Sequence, residues 1–289
     1  MDGILVVNKP LGCTSHDIVY KIKKITGEKV GHTGTLDQMA EGVLPILIGK
    51  GTLLSKYLIN HDKKYIAEIQ LGIKTDTADR EGKVIESKDV PNEVWNKEKI
   101  EQILNTFIGE QKQIPPMYSA IKVNGKKLYE YARMGKQIEV QPRKIKIYNM
   151  KLLDFSQENK QIKIEVYCGK GTYIRTLCED ISTKLGTVGY MKSLKRTNVG
   201  NFKIENSVEL KESDNSNLKI IEENLISIEK VFEKYPKLEL DDRKMKLFLN
   251  GVKLTQNNKD GVYRIYYKNK KFVGIGIIEN KLLKRDIIL

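Results

Sequence analysis

A glycine-rich segment at residues 31–45 constrains the fold of this chain most strongly. It reads Gly-His-Thr-Gly-Thr-Leu-Asp-Gln-Met-Ala-Glu-Gly-Val-Leu-Pro. Closely spaced glycines let the backbone and its neighbours approach a ligand without obstruction by a Cβ atom. A histidine, His32, and a carboxylate, Asp37, stand between these glycines. The segment therefore predicts a loop that carries a functional acid.

Asp37 also has a purely structural interpretation. An aspartate oxygen accepts hydrogen bonds from free N–H groups at a helix start, so Asp37 could cap a short helix at 38–41. The glycines would then be ordinary turn residues. For an isolated aspartate this cap is the commoner case, and only the complete motif changes the balance.

The complete motif resembles the signature loop of the TruB family, the tRNA pseudouridine-55 synthases. The family pattern is Gly-His-Thr-Gly-Thr-Leu-Asp-Pro, followed by variable residues and Gly-Val-Leu-Pro. This chain departs from it at Gln38, where the family usually has proline, and at Glu41, where threonine is common. Neither change removes a reacting group, although Gln38 is expected to loosen the turn after the acid.

The resemblance implies a catalytic group of three side chains. Asp37 would be the nucleophile or base, Tyr65 would stack on the target base and help to move a proton, and Arg175 would pair with Asp37 and keep it ionised. The supporting segments follow the family's order along the chain: 8–15, 63–72, 75–82, 169–181 and 193–197.

Two of these side chains have a structural alternative. An aromatic residue at the start of a strand usually packs in the core, which is the alternative for Tyr65. Arg175 precedes Glu179 by four residues, so the two could form a helical surface ion pair worth only a few tenths of a kcal/mol. The resemblance favours the catalytic interpretation of both.

Further residues are assigned to the substrate by resemblance alone. Lys9 would support the active site from behind, His32 would fill stacking space in the opened T-loop, and Leu194 would close an apolar wall around the base. Tyr173 completes this substrate-binding group. Asp79 would join an electrostatic network with the active-site groups.

Basic and aromatic residues interleave at 113–133. Lysines alternate there with Tyr118, Tyr129 and Tyr131, a pattern that suits a surface following phosphates and stacking on bases. The tyrosines could instead pack inward while the lysines remain in water. The resemblance indicates an RNA-gripping insertion at about 111–143 and assigns RNA binding to Lys122, Lys126, Lys127 and Arg143.

Hydrophobic periodicity predicts an α+β fold. Ser15 is a plausible N-cap for the first helix. The resemblance implies a mixed, mainly antiparallel-sheet pseudouridine synthase catalytic domain at 1–234 and a small β-rich, PUA-like RNA-binding domain at 235–289. Strand patterns occur at 3–7, 65–71, 144–155 and 161–168, helical patterns at 95–107 and 218–232, and the clearest low-complexity break at 212–217.

The charge of the chain favours a polyanionic partner. Its 51 basic and 37 acidic side chains give a net charge of +14, and each neutralised phosphate adds to nucleic-acid affinity. Three cysteines without metal-type spacing predict a reducing cytoplasm and no zinc site. No signal-peptide pattern or membrane-length apolar run is readable. We therefore expect a tRNA T-arm partner, with no cofactor, metal, membrane or obligate protein partner.

The implied activity is isomerisation of uridine 55 in the tRNA T-loop to pseudouridine, with assistance to tRNA folding as a second role. Three alternatives remain at this point. A guide-RNA-dependent synthase of the dyskerin type shares the catalytic loop but acts in a complex. A tRNA-folding chaperone would bind without chemistry. A carboxylate glycosidase normally needs two acids at the cleavage site.

Overall fold

The structure is a computed structural model that describes residues 1–136, 138–211, 216–268 and 270–289. The strands are β1 (Gly3–Lys9), β2 (Val30–His32), β3 (Ala40–Ile48), β4 (Lys63–Leu71), β5 (Ile73–Thr75), β6 (Val84–Ser87), β7 (Gly109–Gln113), β8 (Lys122–Val123), β9 (Lys126–Lys127), β10 (Arg143–Ser156), β11 (Gln161–Cys168), β12 (Gly189–Val199), β13 (Phe202–Lys203), β14 (Ile226–Ser227), β15 (Lys237–Glu239), β16 (Leu254–Thr255), β17 (Gly261–Tyr267), β18 (Lys271–Glu279) and β19 (Leu282–Ile288). The α-helices are α1 (Ser15–Thr26), α2 (Ser55–Leu58), α3 (Lys97–Asn105), α4 (Leu128–Arg133), α5 (Ile174–Lys184), α6 (Ser216–Asn224), α7 (Ile228–Val231) and α8 (Asp242–Leu249). Short 3₁₀ helices occupy Gly49–Leu54, Asn92–Val94 and Ile204–Asn206.

The larger sheet has the strand order β14-β1-β3-β12-β4-β11-β10-β7, with β13 beside β12 and β2 beside β3. The β3–β12 pair is parallel, with Leu194 opposite Ala40 and Arg196 opposite Gly42. The other pairs of this sheet are antiparallel. The expected mixed, mainly antiparallel α+β architecture is confirmed, and the parallel pair brings β12 beside the glycine-rich segment.

Strand β4 shows why this sheet has one covered face. Its side chains alternate, so Tyr65, Ala67, Ile69 and Leu71 are buried while their neighbours are half-exposed. The buried side joins the largest core cluster, to which α3 and α5 contribute. Tyr65, the third residue of β4, therefore lies on the face that also carries the helices.

Helix α1 begins one residue earlier than the sequence suggested. Thr14 is the N-cap: its hydroxyl accepts from the Asp17 N–H at 3.1 Å, and the Asp17 carboxylate accepts from the Thr14 N–H at 2.8 Å. This reciprocal pair satisfies two free donors, so the Ser15 prediction was wrong. The Ser15 hydroxyl instead binds the backbone of Leu36, accepting at 2.8 Å and donating at 3.0 Å.

The helix predicted at 218–232 is interrupted. Strand β14 lies between α6 and α7 and pairs with β1, with Gly3 opposite Ser227. Pairing with the open edge of β1 satisfies backbone groups that a continuous helix would leave exposed.

Helix α3 is shorter than the helix predicted at 95–107, because Asn96 caps it by accepting from the Lys99 N–H at 3.0 Å. Of the predicted break at 212–217, residues 212–215 lie outside the described part of the chain.

The second sheet has the order β15-β17-β18-β19-β16 and comprises the last strands of the chain. An apolar cluster shared with the first sheet holds it in place, with Leu54 and Leu58 on one side and Ile275 and Ile287 on the other. The Tyr57 hydroxyl also donates to Asp286 at 2.5 Å. Among the described helices, none is long and apolar enough to cross a membrane.

Candidate active site

Asp37 lies in the connection between β2 and β3. The loop is fixed on both sides of the acid, because Leu36 is held by Ser15 and Gln38 exchanges two hydrogen bonds with Gly12. The Gly12 N–H donates to the Gln38 carbonyl at 3.0 Å, and the Gln38 side-chain amide donates to the Gly12 carbonyl at 3.1 Å. Gln38 thus ties the turn to the neighbouring loop. No helix follows Asp37, since β3 begins at Ala40, so the helix-cap alternative is wrong.

Arg175 forms the predicted ion pair with Asp37. Its Nε lies 3.1 Å from Asp37 Oδ2, and the arginine is buried while the Asp37 side chain is 41% exposed. The alternative partner, Glu179, pairs instead with Lys74 at 3.7 Å. The Asp37 carboxylate is therefore reachable from solvent and is oriented by a guanidinium anchored in the protein interior.

The same guanidinium connects two further segments. Arg175 Nη1 lies 3.5 Å from Asp79 Oδ2 and donates to the Thr77 carbonyl at 3.3 Å, and Nη2 donates to the Tyr118 carbonyl at 2.9 Å. Asp79 is 5% exposed and also accepts from the Thr77 hydroxyl at 2.7 Å. The expected network through Asp79 is thus present in the structure.

An apolar wall stands next to the acid. Tyr65 and Leu194 are each 7% exposed and share a core cluster with Leu36, Met39 and Ala40 of the loop. Burial raises the pKa of the Tyr65 phenol, so the phenol is protonated at neutral pH. Both the stacking role of Tyr65 and its core-packing alternative are compatible with this position.

Lys9 and His32 occupy the two flanks of the loop. Lys9 is fully buried and donates to the carbonyls of Pro10 at 2.8 Å and Cys13 at 2.7 Å. Burial lowers the pKa of Lys9 and also that of His32. A neutral imidazole can accept a hydrogen bond, and His32 Nδ1 accepts from the Gly34 N–H at 3.3 Å.

Tyr173 stands immediately before α5, two residues from Arg175. Its backbone exchanges two hydrogen bonds with the Gln113 side chain, at 2.8 and 3.0 Å. Gln113 is the last residue of β7, where the predicted insertion starts to leave the sheet. The base of the insertion is therefore attached to the helix that carries Arg175.

The insertion carries its charges near a hairpin. Strands β8 and β9 pair through an Asn124-Gly125 turn with positive φ at both residues. The ammonium group of Lys127 lies 5.3 Å from the centre of the Tyr129 ring. Lys122 and Lys126 are exposed, as is Arg143 at the start of β10.

Arg196 is a site residue that the sequence reasoning missed. It is 1% exposed, and its guanidinium donates to the carbonyls of Val43 at 2.8 Å, Gly34 at 3.0 Å and Thr35 at 3.4 Å. It also stands opposite Tyr65 across the β4–β12 pair. Among the described residues no carboxylate lies within ion-pairing distance of it. The sequence did offer one signal for Arg196. Strand side chains alternate, so a residue two positions after the inward-facing Leu194 also faces inward, and a buried charge there indicates a specific role.

Comparison with known proteins gives three consecutive family matches. The model for the TruB family pseudouridylate synthase N-terminal domain covers residues 21–174. The chain belongs to the TruB family. The models for the tRNA pseudouridylate synthase B C-terminal domain and the pseudouridine synthase II TruB C-terminal region match 175–230 and 236–284. This TruB-family chain is accordingly a pseudouridine synthase.

Full-length relatives agree with the family models. The chain is 46% identical to the tRNA pseudouridine synthase B of Clostridium kluyveri, over 96% of both chains. It is 44% identical to that of Caldanaerobacter subterraneus subsp. tengcongensis, over 98% of both chains. A chain of a Cbf5-Nop10-Gar1 complex matches with 26% identity and a TM-score of 0.67, over 99% of this chain and 83% of that one. A chain of an H/ACA RNP bound to a substrate RNA containing 2′-deoxyuridine matches with 25% identity and a TM-score of 0.69, over 99% and 85%.

Within the described ranges, no group of three His, Cys, Asp or Glu side chains could hold a metal ion. The three cysteines are free, and burial raises the pKa of Cys168 to about 11. Cys168 is therefore a neutral thiol at neutral pH.

Proposed function

We propose that this enzyme isomerises the uridine at position 55 in the T-loop of tRNA to pseudouridine. The observation that carries the proposal is the accessible carboxylate of Asp37, held at 3.1 Å by buried Arg175 within the family's signature loop. The relatives that cover the whole chain are named for action on tRNA. The net charge of +14 supports an RNA substrate.

The reaction exchanges one glycosidic bond for another. The bond from uracil N1 to ribose C1′ breaks, the base rotates, and a bond from C5 to C1′ forms. The C5 proton leaves and N1 gains one, so the change is redox-neutral and requires no cofactor or metal. Asp37 serves as nucleophile at C1′ or C6, or as base at C2′, and each route uses the carboxylate that Arg175 holds in place.

The uridine reaches Asp37 only after it leaves the base stack. Tyr65 then stacks on the freed uracil, and Leu194 closes the apolar side of the pocket. Tyr173 contacts the same nucleotide, Lys9 supports the loop from behind, and His32 fills the stacking space that the flipped base vacates. Burial of Tyr65 and Leu194 next to the loop supports this arrangement.

Gripping of the tRNA is assigned to parts outside the pocket. Lys122, Lys126, Lys127 and Arg143 of the insertion at 111–143 bind phosphates, and the 235–289 region acts as a PUA-like RNA-binding domain attached to the 1–234 catalytic domain. The basic excess of 235–289, with 13 basic and 6 acidic residues, supports this assignment. Three free cysteines support a reducing cytoplasm as the compartment.

Two rival functions are less well supported. A guide-dependent synthase would act with partner proteins, but the chain is 46% identical to the tRNA pseudouridine synthase B of Clostridium kluyveri, against 26% to the chain of the Cbf5-Nop10-Gar1 complex. A glycosidase needs a second acid beside the first. Glu41 is paired with Lys195 at 3.2 Å, and Asp79 is 5% exposed and bound to Arg175.

The test uses unmodified tRNA transcript, with pseudouridine mapped by carbodiimide treatment and primer extension. We expect the wild-type protein alone to modify position 55. Asp37→Asn should abolish turnover and keep tRNA affinity, because the amide preserves shape and removes charge. Glu41→Gln in the same loop is the matched control and should keep near wild-type turnover. Turnover by Asp37→Asn at the wild-type rate would refute the assignment, whereas tRNA refolding by this inactive variant would demonstrate the second role.

A further inference from the structure

Lys63 is a half-buried cation to which neither the reaction nor the grip assigns a role. It is the first residue of β4 and lies on the same side of the strand as Tyr65. Its Cε lies 3.8 Å from the point at which a Cβ on Gly34 would stand, and Arg196 Nη1 lies at the same distance from that point. The ammonium stem thus passes beside the loop that carries Asp37.

The Lys63 ammonium has spare hydrogen-bonding capacity. An ammonium group has three donors, and Nζ donates to the His61 carbonyl at 2.6 Å. Within the described residues it has no further hydrogen-bond acceptor and no carboxylate at ion-pairing distance. Burial lowers the pKa of Lys63, the charge of Arg196 acts in the same direction, and the charge of Asp62 acts in the opposite direction.

The other cations near the loop are satisfied differently. Arg175 has two carboxylate partners, and Arg196 and Lys9 donate to backbone carbonyls. The carboxylates of this region are paired elsewhere, Asp37 and Asp79 with Arg175 and Glu41 with Lys195, so none of them pairs with Lys63. A half-buried cation without a counter-ion is unfavourable unless a ligand supplies the missing negative charge.

We propose that Lys63 binds the backbone phosphate of the flipped nucleotide. This inference rests on the proposed function, because an RNA strand threaded past Gly34 offers only phosphates as anions. Gly34 presents no side chain there, so the strand can approach both the loop and the ammonium. A phosphate held at Lys63 fixes the ribose of the target nucleotide relative to Asp37.

The test is a coupling measurement with chemically synthesised T-arm stem–loops. Each carries one neutral methylphosphonate linkage, placed 5′ or 3′ of the target uridine or at a distant stem position. Lys63→Met should weaken binding of the native stem–loop roughly 10- to 100-fold, as for loss of a charge-assisted hydrogen bond. One of the two flanking neutral linkages should weaken binding to the wild-type protein by the same factor. The Lys63→Met variant should bind that modified stem–loop no more weakly than it binds the native one, because the same contact is already lost. Lys63→Arg should keep most of the affinity.

Lys64→Met is the matched control. Lys64 is the next residue of β4, faces the other side of the sheet and lies over the Tyr167 ring. The loss of affinity caused by Lys64→Met should multiply with the loss caused by either flanking linkage, as expected for independent contacts. The proposal would be overturned if the affinity losses from Lys63→Met and from both flanking linkages also multiplied. Unchanged affinity in the Lys63→Met variant would overturn it as well. Because binding is the readout, absence of pseudouridine from the wild-type reaction would refute the proposed function and leave the coupling result to decide on Lys63.

Discussion

Arg175→Met separates two contributions of one guanidinium. The substitution removes the cation from Asp79, whose side chain is 7% exposed, and from Asp37, whose side chain is 41% exposed. Leaving one partner of a buried pair without the other costs about 3–5 kcal/mol. Asp79 keeps hydrogen bonds from the Thr77 hydroxyl and the Glu81 N–H, so we expect the lower end, about 3 kcal/mol of lost stability.

Asp37 should contribute little to that loss, because a solvent-exposed partner is hydrated when its ion pair breaks. The broken ion pair between Asp37 and Arg175 should instead lower the reaction rate. Without the ion pair to Arg175 Nε, the carboxylate of Asp37 is no longer held in one position. A displacement of about 1 Å at a reacting group can cost about 100-fold in rate, so we expect a roughly 10- to 100-fold lower single-turnover rate at saturating RNA.

The double variant Arg175→Met/Asp79→Asn distinguishes the two effects. The neutral amide removes the uncompensated buried charge, so most of the lost stability should return while the rate stays low. Urea unfolding followed by fluorescence of Trp95, the single tryptophan, reports on the cluster that contains α3 and α5. Recovery of the rate in the double variant would show that Arg175 acts through Asp79 and not through Asp37. A stability loss that persists would refute the buried-pair calculation.

Two further predictions concern other parts of the site. Replacing Lys122, Lys126 and Lys127 together by alanine should weaken tRNA binding. It should also lower the slope of log affinity against log salt concentration by about 0.7–0.9 per lost phosphate contact, with a nearly unchanged single-turnover rate at saturating tRNA. A collapse of the saturated rate with binding intact would place these lysines in the active site. Arg196→Met should destabilise the fold by about 1–3 kcal/mol for each carbonyl left unpaired, measured by urea unfolding, whereas Lys195→Met, at a half-exposed surface ion pair, should change stability by less than about 1 kcal/mol. Equal losses in these two variants would contradict the role given to Arg196.

Local sequence patterns predicted the strands well and the helix boundaries less well. Strand β11 begins and ends where the alternation at 161–168 does, because a half-buried strand repeats every two residues. The cap of α1 was misplaced because Thr14 and Ser15 are both good N-caps. Only the carboxylate of Asp17, three residues after Thr14, distinguishes them. The helix expected at 218–232 failed because pairing with β1 depends on a strand more than 200 residues away in sequence.

The active site shows the same division between local and distant information. The pairing of Arg175 with Asp37 was predicted because both belong to motifs of the family. The contacts of Arg196 were not, since they depend on the parallel register of β3 and β12, which joins residues about 150 positions apart. Nothing local in the sequence specifies that register. The inward position of a charged residue was the only available sign.

We expect mutation to separate gripping from chemistry only at some positions of the insertion, because Arg175 contacts both the insertion and Asp37. Its Nη2 binds the Tyr118 carbonyl at 2.9 Å while its Nε holds Asp37 at 3.1 Å. A displacement of the insertion at Tyr118 is therefore transmitted to the group that orients the acid. The lysines Lys122 and Lys126 lie beyond this contact, on the β8–β9 hairpin. Their removal can weaken the grip without moving the Tyr118 carbonyl, which is the physical reason to expect an intact saturated rate.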